Sequence, residues 1–373
     1  MENWTKEKIS ELYHQPLLEL LYQAATVHRQ FHDPREIQVS KLISIKTDGC
    51  SEDCGYCSQS ARYQTNIEGN SLMQVDEVVR HAKEAKEMGS SRVCMGAAWR
   101  NVKNDDDFDQ VLEMVKSVNE MNLEVCCTLG MLSENQAKRL ADAGLYAYNH
   151  NLDTSEEYYK KVISTRGYED RVETIDNARK ANLKVCSGGI IGMGESEEDR
   201  ISLLCTYAMM TTPPESVPIN ALVPIEGTPL EEQNLVPIWD MIRMIAATRI
   251  VLPQSAVRLS AGRSSMNDEG QALCFMAGAN SIFAGDKLLT TPNADFNSDL
   301  SLFDTLGLVT MKAYKKGDKP DVSDAYKERP EGQEKIKWSR PSHKIERNEQ
   351  AKAKAKEIRA EFKPRKVNSV KKI

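Results

Sequence analysis

Eight short apolar runs alternate with eight helical patterns between residues 37 and 307, and this alternation constrains the fold more than any other feature of the chain. The runs lie at 37–46, 92–96, 123–128, 145–151, 183–187, 217–222, 256–260 and 280–284. They are rich in Val, Ile and Cys, the composition of strands covered on both faces. Helical spacing occupies 74–88, 105–120, 133–143, 169–181, 195–210, 236–250, 266–277 and 299–307. Several of these patterns open on a capping pair, Ser133 with Gln136 and Ser196 with Asp199 among them. Eight strand–helix repeats predict an α/β fold, a closed (β/α)8 barrel of the TIM type rather than an open sheet. In such a barrel the chemistry sits at the carboxyl ends of the strands and in the loops that follow them.

An N-terminal helix is expected over about 5–22, capped by Thr5, with Leu12, Leu17, Leu20 and Leu21 on its apolar face. The organisation is therefore a helical segment at 1–36, a barrel at 37–314 and a charged tail at 315–373. The tail holds 19 Lys and Arg against 10 Asp and Glu, which leaves 30 against 45 in the acidic body. Its low-complexity centre, Ala351-Lys-Ala-Lys-Ala-Lys-Glu357, predicts disorder. An acidic body offers no basic groove for nucleic acid. No run of about 18 apolar residues predicts a membrane span, and Met1-Glu-Asn-Trp-Thr-Lys-Glu-Lys8 lacks the pattern of a secretory signal. Nine cysteines, an odd number, fit reduced thiols in the cytoplasm.

The loop after the first strand reads Cys50-Ser-Glu-Asp-Cys54-Gly-Tyr-Cys57. Four thiolates would close a cubane iron–sulfur cluster or a zinc site. Three leave one iron open to bind a small molecule and pass it an electron. Gly49 and Gly55 allow the backbone to wrap closely around a bulky inorganic core. The bland alternative is a structural zinc site with a distant fourth ligand.

A second set of cysteines lies within the strands: Cys94 in the second, Cys126 or Cys127 in the third, Cys186 in the fifth. Any one of them could be a buried small hydrophobe. Three strands offering thiols at similar depth are more telling. Side chains alternate along a strand, so only one of Cys126 and Cys127 points into the barrel. Cys205 and Cys274 lie in helical patterns and read as packing residues. Asn149, Asn151 and Asp153 share one face of the fourth strand and its exit, with His150 on the other; Asn220 lies in the sixth strand, Arg258 and Ser260 in the seventh. Polar groups inside a barrel must pair with one another or with a ligand, which predicts a polar small-molecule site. The run Gly188-Gly-Ile-Ile-Gly192-Met-Gly194-Glu195 lacks the glycine order of a dinucleotide fingerprint and reads as backbone that approaches a nucleoside edge.

Cys-x3-Cys-x2-Cys with an aromatic residue before the last cysteine, here Tyr56, resembles the radical S-adenosylmethionine superfamily. Within it, residues 37–310 resemble the biotin synthases. The likeness rests on Gly49–Ser60, Met95–Asn101, Tyr148–Thr154, Cys186–Gly189, Pro213–Asn220, Val257–Arg263 and Cys274–Ile282. It implies that Cys50, Cys54 and Cys57 ligate a [4Fe-4S] cluster whose open iron takes S-adenosylmethionine. An electron from a flavodoxin-type donor then yields a 5′-deoxyadenosyl radical, able to take hydrogen from saturated carbons of dethiobiotin. It also implies a [2Fe-2S] cluster on Cys94, Cys126, Cys186 and Arg258 as the sulfur source. Cys126 is selected over Cys127 by the family run Cys-x-Thr-Leu-Gly, here Cys126–Gly130. Arginine is an unusual ligand, cationic and without a ready lone pair; a hydrogen-bonding role is its alternative. The same resemblance places Tyr56, Asn151 and Asp153 at S-adenosylmethionine, Asn151 and Asn220 at dethiobiotin, and the chain in a homodimer.

Overall fold

The structure, a computed structural model, describes residues 4–285 and 287–312. It begins with two helices, α1 (Lys6–Tyr13) and α2 (Leu17–Phe31), where the sequence suggested one. The break is at Gln15-Pro16: proline disfavours helical backbone in the residue before it and brings no N–H of its own. Pro16 instead serves as the residue that opens α2. Arg243 closes the end of α1 from outside, donating to the carbonyls of Tyr13 and Gln15.

There follow β1 (Glu36–Lys46), α3 (Val75–Glu87), β2 (Arg92–Ala97), α4 (Asp106–Asn119), β3 (Glu124–Thr128), α5 (Glu134–Asp142) and β4 (Ala147–Asn149). A helix absent from the sequence reading, α6 (Glu156–Val162), is capped by Ser155, which accepts from the amide of Tyr158. Next are α7 (Tyr168–Lys180), β5 (Lys184–Cys186), β6 (Gly189–Ile191), α8 (Glu197–Met209), β7 (Ser216–Ala221), α9 (Ile238–Val251), β8 (Ala256–Leu259), α10 (Asp268–Met276), β9 (Ser281–Ala284), α11 (Phe296–Leu306) and the short β10 (Val309–Thr310). The expected tail at 315–373 lies outside the described residues.

All the strand pairings are parallel, and β1 joins β9 through Gln38 opposite Ser281, so the sheet closes on itself. The barrel has eight positions, as expected, with the fifth split between β5 and β6. The split falls at Ser187-Gly188, where the neighbouring strand approaches so closely that a Cβ on Gly188 would stand 1.9 Å from the Pro218 carbonyl oxygen. Among the described residues no helix is long and apolar enough to cross a membrane.

The strand alternation sorts the core in two. Val93, Met95, Val125, Cys127, Val185 and Val257 join the large apolar core that includes the helices. Cys94, Cys126, Ala147 and Cys186 form a separate small cluster with Leu42, Tyr146 and Phe283 packed against it. Strand residues point to opposite faces in turn, so the second cluster is the inside of the barrel. Cys126 faces inward and Cys127 outward.

Candidate active site

A cavity of about 340 Å³ opens at the carboxyl ends of the strands. Its wall includes Cys50, Cys54, Cys57 and Tyr56 from the loop after β1, Cys94 and Cys126 from the strands, and Asn151, Asp153, Asn220 and Arg258. Every site residue read from the sequence therefore lines it except Cys186. That thiol is free and buried beside it, within hydrogen-bonding reach of the Cys126 thiol, with Arg258 Nη1 4.0 Å from its sulfur. Cys205 and Cys274 are elsewhere, on α8 and α10.

The cysteine loop leaves β1 through two successive left-handed residues, Asp48 (φ 73°) and Gly49 (φ 74°). Inside it the Cys57 amide donates to the Cys54 carbonyl (2.9 Å), and the Cys50 amide to that of Gln59 (3.0 Å). Asp53 ties it to the segment after α6, accepting from the amides of Ser164 (2.9 Å) and Thr165 (3.1 Å). Burial raises all three thiols, Cys54 to about 11 and Cys57 to about 12, while Arg166 and Arg171 act in the opposite sense on Cys54. Iron must therefore displace protons to bind here. Among the described residues no three His, Cys, Asp or Glu side chains converge as ligands of one metal ion. The three thiols instead stand around a cavity large enough for a cluster, with cations close by to balance thiolate charge.

Asp153 is the most constrained residue of the wall. Its backbone is left-handed (φ 68°), unusual for a residue with a side chain, and its carboxylate is buried. Arg171 holds that carboxylate at 2.5 Å, and the Tyr56 hydroxyl donates to the same oxygen at 2.8 Å. Arg171 also donates to the Tyr159 hydroxyl and the Asn151 carbonyl. Asn151 accepts from Asn149 (3.2 Å) and from the Gly188 amide (3.1 Å). Asn220 donates to the Gly189 carbonyl (3.0 Å) and accepts from the Ala261 amide (3.3 Å). Both asparagines thus stitch the strand ends around the split fifth position while lining the cavity.

His150 was expected to face away from Asn149 and Asn151, yet it lines the same cavity. The strand stops at Asn149, and strict alternation stops with it. Burial, reinforced by Arg171 and Arg166, holds its imidazole neutral. The glycine run after β6 binds its own carboxylate: Glu195 accepts from the amides of Gly192 (2.9 Å) and Met193 (2.7 Å) and pairs with Arg200 (2.8 Å). Only Ile190 of that run reaches the cavity. Sequence reasoning missed Arg166, Arg171, Thr290 and Thr291, all of which line the wall. They lie in or beside connections far from the cysteine loop, and no local pattern marks them. A bond between Ser58 and Thr290 (2.8 Å) carries the last of these connections to the cysteine loop.

Deeper in, the strand thiols share one hydrogen-bonded chain. The bond to Cys126, helped by the charges of Arg258 and Arg92, lowers Cys94 and Cys186, while Cys126 itself is raised between its two neighbours. Arg258 is buried, lies 4.4 Å over the Phe283 ring, and donates from Nε to Ser281 Oγ at 3.0 Å.

Residues 44–204 match the model of the radical SAM superfamily, and 218–309 that of the biotin and thiamin synthesis associated domain. The chain is 64% identical to the biotin synthase of Christiangramia forsetii, covering 95% of this chain and 98% of the relative. It is 58% identical to the mitochondrial biotin synthase of Arabidopsis thaliana, covering 82% of each. In fold it resembles the crystal structure of methylornithine synthase (TM-score 0.69, 21% identity, 84% of this chain and 95% of the other). The FeFe-hydrogenase maturase of Carboxydothermus hydrogenoformans is similarly related in fold (TM-score 0.72, 15% identity, 87% and 80%). Cysteine loop, strand thiols and relatives agree, and the chain belongs to the biotin synthase family of radical S-adenosylmethionine enzymes.

Proposed function

We propose that the two cysteine sets serve one reaction, the insertion of sulfur into dethiobiotin to give biotin, with each set holding its own iron–sulfur cluster. One observation carries this reading: a single cavity is lined both by Cys50, Cys54 and Cys57 at the mouth and by Cys94, Cys126 and Arg258 in the strands. A substrate bound between them would meet S-adenosylmethionine on one side and a sulfur donor on the other. When bound, the [4Fe-4S] cluster supplies the electron that cleaves S-adenosylmethionine, and the [2Fe-2S] cluster supplies the sulfur.

The chain's own residues position the partners. Cys50, Cys54 and Cys57 hold the mouth cluster, and Cys94, Cys126, Cys186 and Arg258 hold the inner one. Asp153, oriented by Arg171 and Tyr56, receives the ribose hydroxyls of S-adenosylmethionine, with Tyr56 near the adenine. Asn151 and Asn220 offer amides to S-adenosylmethionine and dethiobiotin. The barrel at 37–314 is the catalytic unit. A flavodoxin-type protein donates the electron, and the enzyme works as a homodimer in the cytoplasm.

Anaerobic incubation with S-adenosylmethionine, a reductant and dethiobiotin tests the reading by assay for 5′-deoxyadenosine and biotin. Cys54→Ala is expected to abolish both products. Cys186→Ala is expected to stop biotin formation while the mouth cluster still assembles. A normal biotin yield from Cys186→Ala overturns the assignment of the inner set.

A further inference from the structure

Beneath the strand thiols lies a layer of buried polar residues that the activity does not by itself require. Arg92 and Glu124 are paired there at 2.6 Å, and the Gln38 side chain donates to the same Glu124 oxygen at 3.3 Å. On its other side the Gln38 carbonyl oxygen accepts from Arg258 Nη2 (3.4 Å) and from Ser281 Oγ (3.3 Å). Arg258 has two further acceptors, Ser281 Oγ from Nε and Ser40 Oγ from Nη2 at 3.3 Å. Among the described residues its oxygen acceptors are all neutral.

The charge count is uneven. The layer brings two guanidinium groups, of Arg92 and Arg258, against one carboxylate, and the carboxylate is engaged by Arg92. A buried, permanently charged guanidinium without an anion is costly. On the side away from Gln38, Arg258 Nη1 faces the Cys186 sulfur at 4.0 Å.

We propose that Gln38 is the positioning residue of the inner sulfur site. Its uncharged amide separates Arg258 from Glu124, so that the guanidinium is not paired with a carboxylate and faces an anionic iron–sulfur group held by the strand thiols. A carboxylate at position 38 would neutralise Arg258 from below and remove that attraction. This rests on the reading that Cys94, Cys126, Cys186 and Arg258 hold the second cluster.

The experiment compares wild-type chain with Gln38→Glu and Gln38→Leu, each reconstituted anaerobically with iron and sulfide. The readouts are iron and sulfide content, the visible absorption of each cluster, thermal melting, and release of 5′-deoxyadenosine. Gln38→Glu is expected to retain the mouth cluster and S-adenosylmethionine cleavage. Its new carboxylate also stands where the amide donated to Glu124, so a lowered melting temperature in the folded variant is expected beside the loss of the inner-cluster absorption and of about two irons per chain. Gln38→Leu, which removes the amide without adding charge, is expected to shift the inner-cluster absorption. Should Gln38→Glu fail to fold, Gln38→Leu decides. Inner-cluster occupancy and absorption unchanged from wild type in the folded variants overturn the role of Gln38. A wild-type chain that holds only the mouth cluster overturns the underlying reading instead.

Discussion

Arg171 and Asp153 form a buried ion pair at 2.5 Å in the wall of the cavity lined by the cysteine loop, joining α7 to the exit of β4. The pair is shared, because Tyr56 of the cysteine loop bonds the same carboxylate oxygen. The left-handed backbone at Asp153 is thereby held from two sides. A site that must present a carboxylate at one angle gains from such over-determination.

Removing one partner leaves a buried charge alone. Arg171→Met is expected to lower unfolding free energy by about 3–5 kcal/mol, the usual cost of orphaning a buried ion. Urea denaturation of the metal-free protein measures it. Asp153→Asn combined with Arg171→Met is expected to recover much of that stability without recovering S-adenosylmethionine cleavage.

Cys126 and Cys127 are neighbours in sequence with opposite fates. Cys127→Ala is expected to keep the iron and sulfide of the wild type and to cost about 1 kcal/mol of stability for a small buried truncation. Cys126→Ala is expected to lose the inner cluster. Iron analysis after anaerobic reconstitution separates the two, and equal loss in both variants contradicts the assigned faces.

Gly188→Ala places a methyl group 1.9 Å from the Pro218 carbonyl oxygen, a backbone atom that cannot swing aside. The expected cost is about 4 kcal/mol or more, since the split fifth position of the barrel must open. Soluble expression and melting temperature test this. Gly307→Ala makes a useful control for backbone strain alone, because nothing lies within 4 Å of its added carbon.

Acid should weaken the packing of α2 on α9. Burial first, then Arg249 and other nearby cations, hold His28 down at about 3, and burial and Arg249 hold His32 at about 4. Both are neutral in the folded chain and protonate near 6.5 when unfolded. The unfolded state therefore binds more protons as the pH falls below about 6.5, and stability declines towards pH 4 and below. Each histidine adds a slope of up to about 1.4 kcal/mol per pH unit. Replacing both by Gln is expected to flatten this part of the profile, measured by urea midpoints across the range.

The barrel was legible because its strands are short, apolar and regularly spaced, and because helix caps such as Ser133–Gln136 and Ser196–Asp199 declare themselves locally. The cysteine loop was legible for the same reason: its three cysteines lie within eight consecutive residues. The helix break at Gln15-Pro16 carries an equally local signal, a proline inside the single helix expected over about 5–22.

What the chain order could not reveal are the relationships across the barrel. Arg171 reaches Asp153, Thr290 reaches Ser58, and Gln38 stands between Arg258 and Glu124 only because eight parallel strands close in one register. Local periodicity specifies which residues can share a face of a strand. Closure and stagger decide which faces meet, and those depend on packing between residues far apart in the chain. Sequence alone thus determined the fold, the three-cysteine loop and the kinship of the chain. The tertiary structure decided that Cys126 turns inward, that arginines line the cavity, and that a neutral amide stands beneath Arg258.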